Sequence, residues 1–151
     1  LCPNCYHFLK PRLDTPVISI YDKLRELGLG NPIHAEKANI FVPCPDKASL
    51  SLEKSLLPFF DGGYENIRGI QCCGLGGCAA GKEPEISGSF SADLRDRNLP
   101  NVYVYCASCA GKLRRGGVEN IHHVLVDILG TNEQSELSFK SIWNRAKHRF
   151  L

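Results

Sequence analysis

Five cysteines stand at spacings that could do chemistry together: Cys44, Cys72, Cys73, Cys106 and Cys109 follow the pattern C-x27-CC-x32-CxxC. A vicinal pair such as Cys72-Cys73 rarely closes a disulfide on itself, because the small ring falls outside ordinary disulfide geometry. Its thiols therefore look outward to a shared partner. Thiolate-only ligation selects soft metals: four sulfurs suit zinc or a cubane iron–sulfur cluster, and a fifth asks for something larger or stays free. Gly74, Gly76 and Gly77 follow the vicinal pair. Their backbone N–H groups could approach an anionic ligand closely, which makes all three candidate cofactor-binding positions. Cys78 lies outside the pattern and reads as a buried small residue. Of the five histidines only His122-His123 are adjacent, and on a helix two neighbours point about 100° apart, too far to share one ion.

These residues need elements to position them. Asp14-Thr15-Pro16 reads as a helix start, with Val17, Ile20, Tyr21, Leu24 and Leu27 at helical spacing up to Gly28. Residues 38–42 form a short apolar run stopped by Pro43-Cys44-Pro45, as a buried strand would be. A helix is expected over 48–57, a weaker strand over 66–72 and a clear strand over 101–105. Beyond Cys106 the spacing predicts a helix over 107–115, broken by Gly116-Gly117. Val118, Ile121, Leu125 and Ile128 then mark another helix ending near Gly130. Strands alternating with helices imply an α/β fold with a mostly parallel sheet flanked by helices. The cysteine ligands would sit on loops at the carboxyl ends of its strands, where ligands of such sheets gather.

Cys2-x-x-Cys5 followed by an apolar series is echoed by Cys106-x-x-Cys109 and its own series. With no methionine and an opening on Leu1-Cys2-Pro3, the chain reads as a fragment of a protein with two related modules. Residues 1–34 would be the tail of the first, 35–131 a complete cysteine-rich domain, and 132–151 a C-terminal amphipathic helix. That helix places Phe139, Ile142, Trp143, Ala146 and Phe150 on one face and Lys140, Arg145, Lys147 and Arg149 on the other. It packs on its own domain, or offers peripheral contact to a partner or an anionic membrane surface.

Eighteen basic residues against sixteen acidic ones give a net charge of +2, which supplies no electrostatic reason to invoke nucleic acid. No uninterrupted apolar run approaches the length of a membrane span. Eight cysteines would permit a secreted disulfide framework, but such scaffolds are usually smaller and richer in loops, so a reducing, cytoplasmic setting is expected.

The run Cys44…Cys72-Cys73-Gly74…Gly76-Gly77…Cys106-Ala107-Ser108-Cys109 resembles the cysteine-rich CCG domain of heterodisulfide reductase catalytic subunits and of glycolate oxidase iron–sulfur subunits. The resemblance covers residues 38 to 130. It implies that Cys44, Cys72, Cys73, Cys106 and Cys109 hold an iron–sulfur cluster, a non-cubane or cubane [4Fe-4S], with zinc as the alternative. The chain would then be a redox subunit fragment serving electron transfer or disulfide chemistry. Its partners would be other subunits of a redox complex, flavin-bearing or ferredoxin-like, with membrane association only through them. A second reading is a zinc-stabilised structural domain without catalysis. A third is a thiol–disulfide site using Cys106-x-x-Cys109 at a helix N-terminus.

Overall fold

A computed structural model describes residues 2–77, 79–133, 143, 144 and 147. The amphipathic helix expected after residue 132 falls almost wholly outside them, as does Cys78.

Four parallel strands form one sheet: β1 (Lys37–Phe41), β2 (Gly63–Asn66), β3 (Val102–Val104) and β4 (Ile121–His123), in the order β2-β1-β3-β4. Side chains alternate across a strand. Ala38, Ile40, Tyr103 and Tyr105 therefore enter one core, and Phe41, Val102 and Val104 the other. The first core is closed by α2 (Ile20–Glu26), α3 (Ser51–Leu56) and α7 (Val124–Ile128), through Tyr21, Leu24, Leu52, Leu56, Val124 and Ile128. The second is closed by α5 (Pro84–Asp96) and α6 (Ala107–Arg115), through Leu94, Ala110 and Leu113. A sheet covered on both faces must be apolar on both, which explains the almost unbroken apolar runs 38–42 and 102–105. A short helix, α1 (Pro3–Leu9), packs on the 3-10 turn Cys44–Asp46 that follows β1, and α4 (Ala79–Lys82) leads into α5.

From β1 the chain passes to β2 on one side, then crosses to β3 on the other. The gap beyond the carboxyl ends of β1 and β3 is thus the point where strand order reverses, and crossovers leave it on opposite faces.

Several boundaries differ from the sequence expectation. The first long helix starts at Ile20, because the Ser19 hydroxyl accepts the amides of Tyr21 (3.0 Å) and Asp22 (3.5 Å) and caps it there. Ser19→Ala is expected to cost about 1 kcal/mol, read as a shift in the urea midpoint at unchanged slope. The second strand lies at 63–66, not 66–72, and the run to Cys72 is irregular. The helix expected over 118–128 is a strand followed by a helix. Asn120, at φ 53°, breaks the chain between Val118 and Ile121, so that Ile121–His123 pairs with β3. The α/β architecture with a parallel sheet stands. The set of cysteine ligands at its strand ends does not, for the reason given next.

Candidate functional site

Cys44 follows β1 and Cys106 follows β3, so both stand at the reversal of strand order. Cys72 and Cys73 arrive on the irregular segment after β2, and Cys109 lies in the first turn of α6. Cys73 and Cys109 are buried, Cys72 and Cys106 half-buried, and Cys44 exposed.

The thiols meet in pairs. Cys44 is influenced by Cys72, Cys73 by Cys72 and Cys109, and Cys106 by Cys109, so their electrostatic influence runs from neighbour to neighbour. This is a string and not a cage: among the described residues no group of three or more Cys, His, Asp or Glu side chains is placed to hold a metal ion. The structure therefore corrects the expectation of an iron–sulfur cluster, and equally that of zinc. A cubane or a tetrahedral zinc needs ligands converging on one centre. With the cluster go the iron–sulfur redox-subunit assignment and the zinc-structural reading.

Electrostatics along the string are uneven. Contact with the Cys109 thiol lowers Cys106 to about 6; burial opposes this, and the amides of Cys109 and Ser108 at the start of α6 reinforce it. These amides aim their positive ends at the sulfur without closing a capping hydrogen bond. Cys73 is likewise lowered to about 6, first by Cys109, against burial, and then by the amide of Leu75 and by Cys72. Cys109 is pushed far up, because it supplies the proton for both neighbours while itself buried. One proton serves one acceptor at a time, so Cys73 and Cys106 compete for it. Cys44 is exposed as a residue, but partial burial of its sulfur, and then Cys72 beside it, raise it to about 11.

The glycines act differently from one another. Gly74 has φ +79°, its amide donates to Cys72 Sγ (3.2 Å), and its carbonyl accepts from the buried Ser87 hydroxyl (2.7 Å). A Cβ there would stand 2.5 Å from the Ser87 carbonyl oxygen, so close approach of α5 demands glycine. Gly77 has φ +64°, and both Gly76 and Gly77 have open space around the Cβ position. Cavities of about 710 Å³ beside Tyr64 and Arg68, 370 Å³ beside Asn98 and Val118, and 390 Å³ beside His122 and His123 are lined by no cysteine.

Sequence reasoning missed the residue that fixes this end of the sheet. Asp46 is fully buried in the turn after Cys44. Its carboxylate accepts from Tyr105 Oη (2.8 Å), the Glu53 amide (3.0 Å) and the Leu52 amide (3.2 Å), and it bonds His7 Nε2 at 2.8 Å. Burial would raise its pKa, but Tyr105, the two amides and His7 outweigh burial and lower it. Asp46 therefore ties α1, the start of α3 and the residue before Cys106 to one point. A lone Asp between Pro45 and Lys47 carries no periodic signature; the nearest clue is the run Asp46-x-x-Ser49-x-Ser51, typical of side chains that bond local backbone.

No family model, curated protein or solved structure matches this chain. The resemblance to the CCG domain thus finds no support, and the absence of a converging ligand set removes the chemistry it implied. Among the described residues no helix is long and apolar enough to cross a membrane.

Proposed function

We propose that Cys106 and Cys109 form a metal-free site for reversible thiol–disulfide exchange with a disulfide-bearing partner. The observation that carries this reading is the pairing of a half-buried, acid-shifted Cys106 with a buried Cys109 that keeps its proton, at the first turn of α6. Thiolate attacks and thiol does not, so Cys106 is nucleophilic near neutral pH while Cys109 waits.

The steps balance without a metal. Cys106 Sγ attacks one sulfur of a partner disulfide; the partner's S–S bond breaks, and one thiolate leaves and takes up a proton. Cys109 then gives up its proton and attacks Cys106 Sγ. The mixed disulfide breaks, the second partner thiol departs, and Cys106–Cys109 is left oxidised. Two protein thiols are oxidised and one partner disulfide is reduced. Cys73 touches Cys109 and is acid-shifted, so its thiolate is the nearest acceptor for the Cys109 proton.

The rate of iodoacetamide alkylation at Cys106, followed by peptide mass spectrometry, is expected to rise with a midpoint near pH 6 and to level off above it. Oxidised glutathione is expected to yield the Cys106–Cys109 disulfide. A midpoint near the ordinary thiol value of about 8.5 would remove the reading.

We also infer that residues 1–34 descend from the tail of a sister module. Cys2 and Cys106 both stand at the N-cap position of the helix that carries their CxxC, and in each case a second helix follows. That second helix ends in each copy at a left-handed glycine, Gly28 (φ +65°) or Gly130 (φ +64°).

A further inference from the structure

We propose that Glu53 and Asn66 form a proton-dependent clasp: Glu53, as a neutral acid, donates to the Asn66 side chain while accepting from it, and the clasp opens when that proton is lost. It joins α3 to the last residue of β2, from which the chain runs on to Cys72 and Cys73.

The geometry carries it. Glu53 stands in the first turn of α3, 3% exposed, and its Oε1 accepts from Asn66 Nδ2 at 2.8 Å. The other oxygen of each group, Glu53 Oε2 and Asn66 Oδ1, is buried and has no hydrogen-bond partner. Two acceptors left over on side chains already bonded to each other lack one thing between them, a hydrogen. A single proton on Oε2 supplies it and closes a second bond, from Glu53 to Asn66. An ionised Glu53 leaves both oxygens unmet, and unmet buried acceptors cost stability.

The surroundings give that proton to Glu53 and the negative charge to Asp46. Asp46, in the turn after β1, is held by the Tyr105 hydroxyl, two amides and His7 of α1, whereas Glu53 has the Asn66 amide. Burial, and then the Asp46 charge, raise the Glu53 pKa; the Asn66 amide and Lys54, its neighbour on α3, oppose them without cancelling the rise. Tyr105, at the end of β3, is pushed up by burial and by Asp46, so it stays neutral. From α2 the acidic group is Asp22, which takes the Ser55 hydroxyl at 2.8 Å, and the turn Leu57–Phe59 brings no charge. Two buried carboxyls on adjoining elements thus take opposite states.

The folded pKa of Glu53 lies above its unfolded value. The clasp's contribution is therefore complete below the unfolded pKa, about 4.3, and is lost as pH rises through the folded one. Beyond Asn66 the run to Cys72 is tied down by the Ile67 amide on the Ile40 carbonyl (2.9 Å) and by Lys47 Nζ on the Ile70 carbonyl (2.6 Å). What loosens Asn66 loosens the approach to Cys72 and Cys73.

Carbon-13 NMR of the glutamate carboxyls in the unaltered chain reads the proton directly. Glu53, assigned through its own backbone amide, is expected to titrate at higher pH than the same residue in the urea-unfolded chain. Titration at the unfolded value overturns the clasp, and a buried water then serves both oxygens. Glu53→Gln gives a second readout, because its amide donates to Asn66 and accepts from it at any pH. In the parent, hydrogen exchange of the amides from Asn66 to Cys73, corrected for its intrinsic pH dependence, is expected to speed at least about threefold between about pH 5 and 8. In Glu53→Gln it should hold level. Equal acceleration in the two proteins overturns the clasp.

Discussion

Asp46→Ala is expected to lower unfolding free energy by about 3–5 kcal/mol, enough to leave much of the chain unfolded at 37 °C if the parent has ordinary stability. The carboxylate is fully buried and holds the Tyr105 hydroxyl, the amides of Leu52 and Glu53, and His7. Truncation leaves these groups without their acceptor in a site that water does not reach, and the unmet donors, more than the lost volume, set the size of the effect. Urea denaturation followed by far-UV circular dichroism measures it. The pH dependence has a definite sign. The folded pKa of Asp46 lies below its unfolded value, so its contribution is complete above the unfolded pKa, near 4, and is lost as pH falls through the lower folded value. Asp46→Asn should therefore flatten the acid limb of the stability curve, and a variant that keeps the parent's acid slope would count against the role assigned to this carboxylate.

Gly62→Ala is expected to cost at least about 3 kcal/mol. A Cβ on Gly62 would lie inside the van der Waals envelope of the Ala35 carbonyl oxygen. Both sides of this clash are backbone, so no change of rotamer relieves it. The next residue, Gly63, donates its amide to the Glu36 carbonyl (3.1 Å) and pairs with Lys37 at the start of the β1–β2 ladder. Relief must therefore come from shifting the edge strand. Gly76→Ala is the internal control, because nothing lies within 4 Å of its Cβ position, and its change should stay within about 0.5 kcal/mol. Equal midpoints for the two variants in thermal melts would refute the argument.

The parts of the fold that could be read in advance are those where one physical signal acts alone. The runs around Ile40 and Val104 are apolar on both faces because two cores meet there, and they became β1 and β3. Helix α6 ends where Gly116-Gly117 says it must. The segment from Val118 to Ile128 was misleading because its apolar spacing fits a helix, whereas the left-handed Asn120 and the hydrogen bond from the Val102 amide to its carbonyl (2.9 Å) decide for a strand. Helix α5 offered little periodicity to detect: Ser87 and Ser91 are buried beside Leu94, one held by Gly74 and the other against Gly116.

At the site, spacing singled out five cysteines and implied that they converge, which the described residues do not do. A string and a cage demand the same residue types at the same intervals, and only the directions of the side chains distinguish them. Asp46 was illegible for a related reason, since every partner that makes it important is brought to it by tertiary structure.

The contact between Cys73 and Cys109 has a kinetic meaning as well. These residues are 36 positions apart, and β1 can pair with β3 only after the whole β2–α5 segment has been laid down. Contacts of such separation form slowly. A chain leaving the ribosome therefore carries a Cys73 open to solvent, and buries it beside Cys109 only as the crossover closes. The protection of Cys73 from alkylation during refolding is thus a clock for the completion of the topology.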